Sequence, residues 1–181
     1  MLVDNVFSGF GVRVTRRKGD FLFGQHAESS NLFFIEQGLV KAFYETRDGK
    51  EFIKSFIREG QIIGSLQALF ADRPNSFSVV ALEDCVVREI PKAQLLGAND
   101  KNGELQALMN KQLLMLAMKK EQREYELLCL SAEERYQMFC GCDAQLVARL
   151  TQVDIARYLG ITPVALSRIR KRLGLKLGNT A

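Results

Sequence analysis

Between residues 151 and 173, apolar positions repeat with the spacing of two short amphipathic helices separated by a single glycine. One face of each helix is predicted to be buried, and its residues are small or aliphatic: Ile155, Ala156, Leu159, Leu166 and Ile169. Thr151 and Thr162 are candidate N-caps, and Pro163 takes the first helical position, where its missing N–H costs nothing. Gly160 can end the first helix in the left-handed conformation. The pattern predicts a helix-turn-helix, and a generic helical hairpin is the alternative.

The first 98 residues show a different pattern, with short runs of β-branched and aromatic residues cut by Gly, Asp and Asn. Examples are NLFFIEQGLVKAFYET from Asn31 and FSVVALEDCVVREI from Phe77. Asp48-Gly49 lies between two such runs and is a strong hairpin signal. Several short strands in one region predict a small barrel or jelly roll. Such a barrel either holds a small ligand or is filled by its own side chains.

A long helix is predicted between these two parts, because no proline and no further glycine follow Gly103 before Leu130. Its stretch Leu113–Met118 (LLMLAM) is apolar on every side and must therefore be covered all round. A second copy of the same helix would cover it, which predicts a homodimer. Packing against its own barrel and C-terminal unit is the alternative. Ser131 and Glu134 have the spacing of a capping box that starts the next helix.

Charge is distributed unevenly along a chain whose formal net charge is +4. Residues 151–181 carry six Lys and Arg side chains against one Asp, whereas residues 1–150 are nearly balanced. A basic appendage on a neutral body is typical of a nucleic-acid-binding unit, and a solvated charged tail is the alternative. The longest apolar run is far too short for a membrane span, and no export signal is recognisable. We expect a cytoplasmic protein that binds double-stranded DNA and no membrane.

Four cysteines and one histidine limit the available chemistry. Cys140 and Cys142 form a lone Cys-x-Cys, which either holds a metal, senses oxidants or simply places small residues at a helix end. His26 is the only histidine, so a His-rich metal centre is excluded and a Ser-His or Cys-His pair would have to include it. We expect no metal site and no enzymatic activity, and a cupin-like barrel enzyme is disfavoured for the same reason.

The order of barrel, long helix and helix-turn-helix resembles that of the CRP/FNR family of bacterial transcription regulators. The resemblance runs from about Arg16 to Leu173 and rests on the segments KGDFLFGQH, LFFIEQGLVKAFY, REGQIIGSLQALF and YLGITPVALSRIRKRL. It implies an α+β fold in three parts. Residues 1–98 are expected to form a double-stranded β-helix (jelly-roll) sensor barrel, residues 99–130 a long dimerisation helix, and residues 131–181 a helix-turn-helix domain that lacks most of the wing.

In this family the phosphate of cyclic AMP lies on a short helix N-terminus and an Arg-Ser pair. The resemblance places those positions here at Gly64, Ser65, Leu66, Asn75 and Ser76. Ser65 stands where the family has an acid, and Asn75 stands where it has the arginine. Arg73 could replace that guanidinium only if the loop shifts. Losing a charge-assisted phosphate contact costs about 1.5–3 kcal/mol per bond. We therefore expect a degenerate phosphate site, cyclic AMP not to be the effector, and an unknown small-molecule effector or none.

The helix pattern and the resemblance assign DNA contacts to seven positions of the second helix: Thr162, Pro163, Val164, Ser167, Arg168, Lys171 and Arg172. Arg168 keeps the family's base-reading arginine, whereas Pro163 and Val164 change two further base-reading positions. The operator must therefore differ from that of the cyclic-AMP receptor. No cysteine precedes Cys85, so an FNR-type iron–sulfur centre is not expected. We expect a dimeric regulator, with RNA polymerase as a candidate partner; a sensor module that acts through protein contacts is the alternative.

Overall fold

The computed structural model describes residues 6–7, 9–97 and 103–174. The chain divides into two compact units, Met1–Lys111 and Gln112–Ala181. The predicted boundary after residue 98 lies outside the described residues, and so do residues 175–181, to which the predicted lack of most of the wing refers. The division into 1–98, 99–130 and 131–181 therefore stays a prediction.

Two four-stranded antiparallel sheets form the first unit. The order in one sheet is β1 (Val12–Arg16), β8 (Cys85–Pro91), β3 (Asn31–Gln37) and β6 (Ile62–Ile63). The order in the other is β2 (Phe21–Phe23), β7 (Ser78–Ala81), β4 (Val40–Glu45) and β5 (Glu51–Ile57). Strands β1 to β4 alternate between the sheets, and so do β5 to β8. This alternation is that of a jelly roll and confirms the predicted fold.

The core lies on both sides of β3. Phe33 and Ile35 pack between the two sheets, whereas Leu32 and Phe34 pack on the outer side of their own sheet. Three helices contribute to that outer cluster: α1 (Leu66–Phe70), α2 (Lys92–Leu96) and the first turns of α3 (Glu104–Cys129). Burial on both faces explains why β3 has a continuous apolar run instead of an alternating one.

The hairpin between β4 and β5 turns at Asp48-Gly49, as predicted. The Thr46 N–H donates to the Lys50 carbonyl at 3.0 Å, and Gly49 has a φ of 75°. Glycine adopts this left-handed conformation without steric cost, which is why the dipeptide marks the turn.

The second unit contains the rest of α3, followed by α4 (Ala132–Cys142), α5 (Ala144–Ala148), α6 (Gln152–Leu159) and α7 (Pro163–Arg172). Helix α3 has 26 residues, which confirms the predicted long helix. The predicted capping box is present: the Ser131 N–H donates to the Glu134 carboxylate at 2.8 Å, and the Glu134 N–H donates to Ser131 Oγ at 3.3 Å. None of the helices in the described part of the chain has the length and apolar content needed to cross a membrane.

Candidate functional site

Helices α6 and α7 form the predicted helix-turn-helix, and the predicted caps hold both of them in place. Oγ1 of Thr151 and of Thr162 each accepts a backbone N–H of the following turn, at 3.1 and 3.2 Å. Gly160 has a φ of 72° and donates its N–H to the carbonyl of Ala156, which ends α6. Glycine is favoured here because other residues rarely adopt this backbone conformation. The sharp turn between the helices therefore depends on residue types visible in the sequence.

The apolar faces of α6 and α7 are buried as predicted. Their side chains are at most 5% exposed: Ile155, Ala156, Leu159, Leu166 and Ile169. Ile161, in the turn between the helices, is half-buried. Ala156 has no exposed surface, and its small side chain permits a close crossing of the helices. Packing of α6 therefore fixes which side of α7 faces away from the unit.

Six of the seven positions predicted to contact DNA lie on the outward side of α7 and at its N-cap, and the seventh, Arg172, is paired with Glu133. These six residues are all exposed: Thr162, Pro163, Val164, Ser167, Arg168 and Lys171. Neither Arg168 nor Lys171 forms an ion pair within the described part of the chain. Two cations three residues apart on one helix lie about one turn apart. The arrangement gives an exposed, positively charged surface with a hydroxyl and an aliphatic group beside it.

The basic run at the end of α7 consists of Arg168, Arg170, Lys171 and Arg172. Two of these residues belong to the exposed surface, and the other two interact with residues of α4. Arg172 donates from Nε and Nη2 to one carboxylate oxygen of Glu133, at 3.0 and 2.5 Å. Arg170 is half-buried, and its charge acts on Tyr136. Arg168 and Lys171 are the exposed cations of this run that have no ion-pair partner among the described residues. The sequence pattern treated the run as one cluster, and a DNA contact by Arg172 stays a prediction.

Two arginines that the sequence pattern did not single out hold the end of α6. Arg123 of α3 donates to the Tyr158 carbonyl, and its guanidinium carbon lies 4.0 Å from the centroid of the Tyr158 ring. Arg135 of α4 donates to the Leu159 carbonyl at 3.2 Å and to the Leu130 carbonyl at 2.6 Å. Carbonyls at a helix C-terminus lack intrahelical partners and carry partial negative charge, so guanidinium groups complement them. Both arginines look like ordinary surface residues in the sequence.

The cysteine pair lies at the end of α4, as the helix-end interpretation predicts. Cys140 is half-buried and Cys142 is exposed, and both are free thiols. Burial, together with a hydrogen bond to Cys140, raises the pKa of Tyr136 to about 12. No group of three or more candidate metal ligands occurs among the described residues. The neighbour of Cys140 is therefore the neutral phenol of Tyr136, and the described residues form no cluster of metal ligands around the Cys-x-Cys.

The predicted phosphate positions of the barrel lie around α1. Ser65 is 2% exposed and is the N-cap of this helix, with its Oγ accepting the Ala68 N–H at 3.4 Å. Gly64 packs closely, since a Cβ there would lie 3.2 Å from the Asn31 carbonyl oxygen. Leu66 is 37% exposed. Ser65 thus caps the helix at a position where the resemblance implies an acid.

Asn75, to which the resemblance assigns the position of the family's arginine, is only 1% exposed. Its backbone is held by two hydrogen bonds, to the Ala27 carbonyl at 3.0 Å and from the His26 N–H at 2.8 Å. Its side-chain oxygen and nitrogen have no hydrogen-bond partner among the described residues. A buried amide without partners costs about 1–3 kcal/mol per group. Asn75 is therefore a buried neutral amide whose side chain has no hydrogen-bond partner among the described residues, and its correspondence to the family's cation stays a prediction.

Arg73, which could replace that cation only if the loop shifts, is exposed, and Ser76 is half-buried. The Arg73 N–H donates to the Gln67 carbonyl at 3.2 Å, which ties the segment to α1. The sequence pattern did not identify Lys54, whose Nζ lies 4.4 Å from the centroid of the Phe77 ring. Phe77 belongs to the core between the sheets and also meets the edge of Tyr44, at 6.3 Å between centroids. Burial raises the pKa of Tyr44, so its hydroxyl stays neutral.

Comparison with known proteins matches the barrel to a domain family and the chain to named regulatory proteins. A model of the cyclic nucleotide-binding domain matches residues 13–102. The fumarate and nitrate reduction regulatory protein of Vibrio cholerae is 30% identical over 171 residues, covering 86% of this chain and 66% of that relative. The protein of the same name from Escherichia coli is 29% identical over 170 residues, with the same coverage. The chain thus spans about two thirds of the length of these relatives. Both are regulatory proteins and not enzymes.

Solved structures share the fold over nearly the whole chain. FixK2 from Bradyrhizobium japonicum has a TM-score of 0.76 at 19% identity and covers 94% of this chain and 88% of its own. A CooA variant from Carboxydothermus hydrogenoformans also has a TM-score of 0.76, at 18% identity, with 94% and 80% coverage. At these identities the likeness concerns the fold alone.

The contacts at the end of α6 predict a large effect of Arg135→Ala on stability. Removing a charged donor from two carbonyls should lower the free energy of unfolding by about 1.5–3 kcal/mol. Urea titrations followed by circular dichroism measure this loss. Arg168→Ala is the matched control, because it also removes an arginine from this unit but from an exposed position, and should change stability by less than about 0.5 kcal/mol. Equal losses for both variants would contradict the role assigned to Arg135.

Proposed function

Because the chain belongs to the CRP/FNR family, we propose that it is a dimeric transcription regulator that binds double-stranded DNA through α6 and α7. The observation that carries this proposal is the exposed pair Arg168 and Lys171, which face outward from a helix held in place by its buried side. In a helix-turn-helix the second helix enters the major groove and its N-terminal residues meet base edges. The protein would act in the cytoplasm with its DNA, and RNA polymerase is the proposed further partner.

The two cations are proposed to perform different tasks. Arg168 lies nearer the N-terminus of α7, where a guanidinium can donate two hydrogen bonds to the edge of a guanine. Lys171 lies one turn further along, where an ammonium group meets phosphate and positions the helix without reading sequence. Thr162, Pro163, Val164 and Ser167 would complete the contact surface, with Arg172 at its margin because of its ion pair with Glu133.

The proposed dimer rests on an exposed apolar stripe along α3. Four large side chains follow one another at intervals of four, seven and three residues and are more than half exposed: Leu114, Met118, Tyr125 and Leu128. These intervals fit a repeat of 3.5 residues in which polar Glu121 takes the position between Met118 and Tyr125. This is the repeat of a coiled-coil seam, in which a second helix of the same kind buries the stripe. An apolar stripe of this length is unfavourable in water. A two-fold dimer would also present two copies of α7 to two half-sites.

The barrel is proposed to be the sensor part, with an unknown small-molecule effector. Support comes from the match to the cyclic nucleotide-binding domain and from the buried, unpartnered amide of Asn75. A neutral amide cannot replace the charge-assisted contact that a guanidinium makes with phosphate. Cyclic AMP is therefore not the proposed effector. A sensor that acts only through protein contacts is the second candidate, and the exposed cations of α7 favour DNA over it.

Met118→Glu is expected to weaken the dimer, because it places a charge in the middle of the apolar stripe. Wild type should have twice the 20.4 kDa protomer mass in light scattering at micromolar concentration. Lys120→Glu is the matched control, since it adds the same side chain two residues away and off the stripe. A monomeric wild type, or equal dissociation of both variants, would contradict the proposed interface.

Arg168→Ala is expected to reduce the preference for a selected palindromic site over a scrambled one, by about 1–3 kcal/mol per base pair read. Lys171→Ala should instead weaken binding to both DNAs equally and lower the salt slope by about one. The selected half-sites should lie about 34 Å apart or a small multiple of that. Site selection from random duplexes, followed by salt titrations, measures these effects. Identical losses for both variants on both DNAs would refute the division of roles.

Cyclic AMP is expected to bind weakly or not at all, because Asn75 leaves the phosphate without its guanidinium. Titration calorimetry of the dimer with cyclic AMP tests this expectation directly. A low-micromolar dissociation constant would contradict it. Repeating the titration with Arg73→Ala would then show whether this exposed arginine supplies the missing charge.

A further inference from the structure

Val164 is the most exposed aliphatic side chain of the helix-turn-helix formed by α6 and α7, with 62% of its surface exposed. The other large aliphatic side chains of α7 within its buried face, Leu166 and Ile169, are 1% and 5% exposed. An exposed valine alone carries no information, since single apolar side chains are common on surfaces. Its position on the helix carries the argument here.

Val164 lies at the start of α7, directly after Pro163. Ser167 and Arg168 follow it by three and four residues, so the three side chains lie on the same exposed side of the helix. Pro163 has no N–H to donate to a base edge, and one lone pair of Thr162 Oγ1 is occupied by the Ala165 N–H at 3.2 Å. The first turn therefore presents an apolar group at the place where a recognition helix reads bases.

The major groove offers one apolar group to such a side chain, the 5-methyl group of thymine. A valine has neither a donor nor an acceptor, so a contact with the amino group of cytosine or the oxygen of guanine would desolvate those groups without compensation. Burial of a methyl group against valine is favourable instead. The chemistry of this position thus favours thymine among the four bases.

We propose that Val164 is a specificity-determining residue that selects a thymine by its methyl group, an inference that rests on the proposed DNA-binding function. Four residues of α-helix advance about 6 Å along the axis, and base pairs are stacked about 3.4 Å apart. The thymine therefore lies one or two base pairs from the guanine that Arg168 reads.

Replacement of thymine by uracil tests this inference, because uracil lacks only the methyl group. Each thymine of the selected palindrome is replaced in turn, in both half-sites at once, and the dissociation constant of the full-length dimer is measured. For wild type, we expect uracil at one position to weaken binding about fourfold per half-site. This position should lie one or two base pairs from the guanine that Arg168→Ala no longer distinguishes from other bases. The remaining thymines should have smaller effects.

In Val164→Ala, the ratio of the dissociation constants for the uracil and thymine sites should fall to near one. Binding to phosphate and the discrimination by Arg168 should be kept. Val153→Ala is the matched control, since Val153 is also an exposed valine, 42% exposed, but lies on α6. It should keep the full uracil effect. This inference alone would be overturned if Val164→Ala binds DNA with the same uracil effect as wild type. It would also be overturned if the selected site has no thymine at the stated distance from the guanine. Failure of wild type to select any DNA would overturn the proposed function and this inference with it.

Discussion

Two guanidinium groups hold the carboxyl end of α6, and the placement of the helix-turn-helix within its unit depends on them. Arg123 comes from α3 and Arg135 from α4, and together they bind the carbonyls of Tyr158 and Leu159. Those carbonyls have no partner within their own helix. Only residues 160–162 separate α6 from α7, so whatever anchors the first helix also anchors the second. The outward face of α7 is thus a consequence of contacts made on its other side.

Arginine performs three tasks within this one small unit. Arg123 and Arg135 satisfy helix carbonyls, Arg172 is paired with Glu133, and Arg168 has no ion-pair partner in the described part of the chain. The positive charge in the second half of the chain is therefore partly structural. A count of basic residues overstates how many cations are free to meet phosphate, which is why the salt dependence of binding would reflect fewer contacts than the composition suggests.

Local features of this chain could be predicted because they depend on residues that are close in sequence. The caps at Thr151 and Thr162 and the left-handed Gly160 each involve at most five consecutive positions. The contact of Arg123 with Tyr158 joins positions 35 residues apart and residue types common on any exposed helix. No local sequence pattern predicts this contact. For Asn75, the resemblance located the position, but the absence of side-chain partners in the described residues depends on how distant segments pack around it.

In the proposed function, folding and base recognition depend on different positions of α7. Leu166 and Ile169 are buried and hold the helix, whereas Val164 and Arg168 are exposed and make few contacts within the unit. Substitutions on the exposed side cost little stability, because they remove no packing. The residues proposed to contact bases can therefore be substituted one at a time in evolution, and each variant along the way still folds. Duplicated copies of such a gene can diverge to new operators while they keep one scaffold, and the anchored back of the helix is what makes that divergence accessible.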